Sequence, residues 1–150
     1  MKTAGVSVLM CLSLSVFADT GVQIRPNIVG DGITRPLSET PASAELGRQI
    51  FVSRNGGHCV LCHQVNGLDA PFQGNLGPAL SGIGDRLSVE QIRLRIADAS
   101  ILNSQTIMPP YYRSEGLHQV DQKYQGRTAL SGTQVEHLVA YLAQLGSTAK

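Results

Sequence analysis

The sequence predicts an all-α domain of short helices separated by long loops, and three observations carry that class. Apolar residues recur with helical period at three places, around 46–51, 89–96 and 135–145. No stretch alternates apolar and polar residues as a half-buried strand does. The segments between the helical stretches hold most of the 16 glycines and 7 prolines among 150 residues. Loops this long are uncommon in a compact domain unless they perform a task, such as wrapping a cofactor.

The N-terminus comes first. Lys2 precedes an apolar run from Val6 to Val16, and Ala18 ends it with a small residue. This is the form of a secretory signal peptide over residues 1–18. The run is shorter than the roughly 20 residues needed to span a bilayer, so no membrane span is expected after cleavage. Removing it takes Lys2 and Cys11 away. The remainder carries 11 basic and 11 acidic residues, two cysteines and one methionine. So even a balance offers no basic face for nucleic acid. Residues 19–42 hold Pro26, Pro36 and Pro41 without a sustained period and read as an extended N-terminal arm. Residues 43–150 form the domain.

Ser43 to Ser53 is the first helix, with Leu46, Ile50 and Phe51 on one face and Gly47 open to close approach. Asn55-Gly56-Gly57 ends it. Residues 66–86 are loop. Ser88 and Gln91 form a capping box that opens a helix to about Ala99. Residues 103–128 are a second loop region containing Met108-Pro109-Pro110-Tyr111-Tyr112. The last helix starts at Ser131 to Thr133, where Ser131/Gln134 and Thr133/Glu136 both fit a capping box. It carries Val135, Leu138, Val139, Leu142 and Leu145 on one stripe, and Gly146 is placed to close it.

Chemistry concentrates at Cys59-Val60-Leu61-Cys62-His63. C-x-x-C-H attaches c-type haem. Two thiols three residues apart can each add to one haem vinyl, and the next residue offers its imidazole to the iron. Zinc needs four ligands, and this cluster supplies three. A thioredoxin-like pair needs a strand before it, and here a helix and glycines precede. One covalently attached haem c is therefore expected, with Cys59 and Cys62 as thioethers and His63 as axial ligand. The second axial position has Met108, His58, His118 and His137 as candidates, besides staying open. His58 is too near along the chain, and His137 reads as a surface or edge residue of the last helix. Met108, stiffened by Pro109 and Pro110, is favoured. Histidine with methionine raises the potential and leaves no open site. Pro78, after Gly77, is expected to accept the His63 ring N–H through its carbonyl. Arg86, Arg93, Arg95 and Arg113 are candidate partners for the haem propionates, and each also reads as an ordinary surface charge.

These residues resemble class I cytochromes c. A narrower set is similar to the SoxX family, the monohaem subunit of the SoxAX complex of thiosulfate oxidation. It comprises His58 to His63, Gly74-Asn75-Leu76-Gly77-Pro78-x-Leu80-Ser81-Gly82, Leu94-Arg95-Ile96, Thr106 to Arg113 and Gly116-Leu117-His118, within a likeness running from about Glu45 to Leu145. The resemblance implies His63/Met108 ligation, a SoxA cytochrome partner, and a periplasmic location. It further implies work on the carrier SoxYZ, with electrons passed to a small soluble cytochrome c. In such a complex (an L-cysteine S-thiosulfotransferase) the sulfur chemistry belongs to SoxA, and this chain is an electron carrier without a catalytic site. Competing readings are a free-standing cytochrome shuttle for a respiratory oxidase and a haem sensor with an open iron. The arm and the Tyr111-Tyr112 pair favour a dedicated partner, and Lys123 and Lys150 alone make a poor docking ring for an acidic oxidase.

Overall fold

A computed structural model of the chain describes residues 27–146. The proposed signal peptide lies outside the described residues. Among the described residues four helices form, α1 (Ala44–Val52), α2 (Ile83–Arg86), α3 (Val89–Asp98) and α4 (Gly132–Ala143), with single 3-10 turns at Cys59–Leu61, Ala99–Ile101 and Gln122–Tyr124. A small antiparallel hairpin precedes them, β1 (Ile28–Val29) and β2 (Gly32–Ile33), in register Ile28 to Ile33 and Val29 to Gly32. It is too short to show as alternation in the sequence.

Each long helix starts where its side chains dictate. Ser43 caps α1 by accepting from Leu46 N. Ser88/Gln91 closes a full capping box on α3. At α4 the box is Ser131/Gln134. The alternative at Thr133/Glu136 is not used, because Glu136 is engaged elsewhere. Each such cap contributes about 1 kcal/mol. α4 ends at Ala143 with Gln144 as its cap. Gly146 therefore lies past the helix, against the Asp85 carboxylate, and does not close α4 as the sequence suggests.

α1 crosses α4 at Gly47. A Cβ there would stand 2.0 Å from the His137 carbonyl oxygen, so only glycine admits this approach. Beside the crossing, Phe51 and Tyr141 meet edge to face with ring centroids 5.5 Å apart. Val60, Ile92, Ile96, Val135, Leu138 and Leu142 complete the main core. This is the class I cytochrome c-like arrangement the sequence anticipates.

His137 departs from its sequence reading. It is buried, and its Nδ1 accepts from Ser43 N at 2.9 Å. The backbone of α1 reaches it because Gly47 lets the helices touch. The described part of the arm is also docked. Ile33 is fully buried with Leu94 and Ala97. Arg93 and Glu136 form a bidentate ion pair at 2.8 and 3.0 Å, with side chains 5% and 6% exposed. Arg93 Nη1 also donates to Ile33 O at 2.7 Å, and Leu37 N donates to Glu136 Oε1 at 2.9 Å. The pair thus binds α3, α4 and the arm together. Neither partner can be recognised as buried from its residue type.

Glu136→Ala is expected to destabilise the holoprotein by about 3–5 kcal/mol in denaturant unfolding, since it strands a buried guanidinium. The double variant Arg93→Met/Glu136→Leu should recover most of that loss.

Candidate haem site

α1 ends at Val52 with Ser53 as its cap, and carbonyls at this end hold the chain that follows. Gly57 N donates to Ile50 O at 3.0 Å and His58 N to Ser53 O at 3.1 Å. His58 then takes a left-handed conformation (φ 47°) and reverses the chain into the turn Cys59–Leu61. Cys62 N and His63 N both donate to Cys59 O, at 3.1 and 2.9 Å. The two thiols and the imidazole are therefore fixed to one turn of backbone. Both cysteines are free and partly buried. Burial pushes the Cys59 thiol up to about 12.

The His63 ring is positioned from two sides. Its Nδ1 lies 2.8 Å from Pro78 O, which accepts the ring proton and leaves Nε2 available to a metal. Against the ring lies Gly77, where a Cβ would stand 2.4 Å from His63 Cε1. Gly77 N donates to Cys62 O at 2.8 Å and holds the loop in place. Arg86 braces the next residues by donating to Ser81 O and Ala79 O at 2.8 and 3.2 Å.

Met108 is half-buried, and its N–H donates to Thr106 Oγ1 at 3.2 Å. Its loop is tied to the attachment turn by a bond the sequence did not reveal. Tyr111 Oη donates to Gly57 O at 2.8 Å, two residues before Cys59. Tyr111 N and Tyr112 N continue the chain along the end of α3, donating to Ile96 O and Ala97 O. Both rings are half-buried and pack against the core clusters. No local signal announces the Tyr111 Oη bond to Gly57 O, since the acceptor lies 54 residues away in the chain. His118 is exposed, and His137 is sequestered beside α1.

The four candidate arginines all have partners within the chain. Arg93 is buried against Glu136 and is not a surface charge. Arg113 donates to Asp98 Oδ2 and Ser100 Oγ at 2.9 and 3.0 Å. Arg95 donates to Gln91 O at 3.0 Å.

The donor set fits a covalently held haem. Two unpaired thiols and an imidazole oriented through Nδ1 share one turn, and among the described residues no group of three His, Cys, Asp or Glu side chains converges as a metal cage would. The thiol–imidazole geometry therefore serves attachment to a large cofactor better than tetrahedral zinc.

Gly77→Ala should displace the His63 ring and cost about 1–3 kcal/mol of holoprotein stability through overpacking, read by thermal unfolding together with a perturbed visible spectrum. Burial also raises the Tyr111 hydroxyl above its ordinary value of 10. The folded state then holds this proton more tightly than the unfolded chain does. Its contribution to stability is complete below pH 10 and declines as pH rises further. Tyrosinate absorbance from Tyr111 is expected only together with alkaline unfolding, and Tyr111→Phe should remove that component.

No curated protein sequence matches the chain. Among solved structures, a chain of the crystal structure of SoxXA from P. pantotrophus is similar, with 29% sequence identity and a TM-score of 0.74. The likeness covers 83% of this chain and 97% of that one. The family model described as cytochrome c matches residues 44–146. With that match spanning most of its length and the attachment turn inside it, the chain belongs to the cytochrome c family.

Proposed function

We propose that this chain is the SoxX-like electron-transfer subunit of a periplasmic SoxAX-type complex. The observation that carries this reading is the structural likeness to the SoxXA chain over nearly its whole length. Family membership implies covalently bound haem c. The two cysteines provide for one such group, which Cys59 and Cys62 would hold through thioethers, with His63 and Met108 as the residues that would bind its iron.

Bound haem supplies a one-electron iron couple. The chain's own residues prepare for it in three ways. Pro78 O holds the His63 ring in one tautomer and keeps it basic. Pro109 and Pro110 restrict the backbone that presents the Met108 sulfur. Tyr111 Oη anchors the same loop to Gly57 O, so the loops carrying the two axial residues are joined by a hydrogen bond. An arrangement fixed on both sides favours electron transfer, because little has to move when the charge changes.

The chain's inventory matches a division of labour. Beyond Cys59 and Cys62, residues 19–150 contain no thiol, so sulfur chemistry falls to the SoxA-type partner. There thiosulfate joins a cysteine of the SoxYZ carrier. One S–S bond forms, the thiol proton leaves, and two electrons are released, to be taken up singly by this subunit and passed to a small soluble cytochrome c. No helix among the described residues is long and apolar enough to cross a membrane.

Three measurements check this. Cys59→Ser/Cys62→Ser, expressed with the haem-attachment machinery, should give a chain without covalent haem on a denaturing gel. Met108→Ala should lower the reduction potential and remove the weak sulfur-to-iron band of the oxidised spectrum. An unchanged spectrum would exclude Met108 as a ligand. The intact complex should turn over thiosulfate with SoxYZ, and reconstitution without this chain should slow electron delivery to the acceptor at least tenfold.

A further inference from the structure

Three large apolar side chains beside the attachment turn face solvent. Leu61, between the two cysteines, is 62% exposed, Leu76 is 67% exposed and Phe72 is 99% exposed. The backbone brings their segments together. Gly74 N donates to Val60 O and Gly77 N to Cys62 O, both at 2.8 Å. Residues 72–76 therefore run alongside the turn that holds Leu61.

The loop presenting Phe72 is built rather than loose. Gln73 Oε1 accepts from Val65 N at 2.7 Å, and Gln73 Nε2 donates to Leu68 O at 3.2 Å. Phe72 itself has φ 58°, a left-handed conformation that is a genuine outlier for a bulky residue. Strain of this kind persists where the surroundings enforce it and collects at functional positions. Within the fold, Phe72 gains nothing in return, since its side chain is wholly exposed.

We propose that Leu61, Phe72 and Leu76 form the contact surface for the partner cytochrome subunit, with Phe72 as the anchor side chain. This rests on the SoxAX-type reading. The solved neighbour comes from a SoxXA assembly, and this chain spans 97% of the matched chain. The patch is continuous with the turn bearing Cys59 and Cys62, where an electron partner has to sit close. Residues 59–80 contain no lysine or arginine and one acid, Asp69. A membrane-surface site would combine apolar side chains with basic ones, and electrostatic docking would need a charged ring. An apolar patch with one large aromatic instead fits an interface hot spot.

The test uses the full holoprotein and a purified SoxA-type subunit, with Kd measured by titration calorimetry at low and high salt. Phe72→Asp and Leu76→Asp are expected to weaken binding at least tenfold each, with little salt dependence in the wild-type complex. Phe72→Leu should keep most of the affinity. Tyr124→Glu, in the turn Gln122–Tyr124 away from the arm and 37% exposed, should bind as wild type. Unchanged visible spectra and reduction potentials would show that the variants are folded. Wild-type protein that fails to bind would overturn the subunit reading itself. Wild-type binding with undiminished affinity in both aspartate variants would overturn this surface alone. Loss of a self-dimer in sedimentation, or of binding to anionic phospholipid vesicles, in Phe72→Asp without loss of partner affinity would assign the patch to another occupant and overturn the proposal.

Discussion

Gly47 places the backbone of α1 against the carbonyl of His137, and the other parts of the molecule are arranged around that contact. The close approach lets Phe51 reach Tyr141 and lets Ser43 N reach the His137 ring. It also fixes where α1 ends. From there six residues lead to Cys59, and two of them are bonded to the last turn of the helix. The turn that bears both thiols is in this sense an extension of the helix crossing. A shift of α1 along α4 would carry both thiols and His63 with it.

Two loops complete the site, and they do so by different means. The loop through Gly77 and Pro78 returns to the attachment turn by backbone hydrogen bonds and presses on the imidazole directly. The loop through Met108 is set by prolines, by pairing with the end of α3, and by one tyrosine hydroxyl. Three aromatic residues stand at junctions: Phe51 and Tyr141 at the crossing, and Tyr111 between the Met108 loop and Gly57.

Much of this was legible from local chemistry. The three long helices and their serine caps follow from spacing within a few residues. The return of Pro78 O to His63 was also anticipated, and the structure has these atoms 2.8 Å apart. The misreadings concern groups whose state depends on what crosses them. His137 looked like an edge residue because nothing in α4 announces that α1 covers it. Arg93 looked like a surface charge because its partner lies 43 residues away. The arm carried no motif, since it is held by backbone groups of Ile33 and Leu37 and by burial of the Ile33 side chain, which no local pattern announces.

The Arg93–Glu136 pair also separates two kinds of boundary. The stretch matched by the family model starts at residue 44, yet the pair spends bonds on Ile33 O and Leu37 N. Cutting the chain at the edge of the matched stretch would leave a guanidinium proton and a carboxylate lone pair facing an emptied groove, beside the uncovered side of Leu94. The smallest piece able to stand alone is therefore longer than the stretch by which its kinship is recognised.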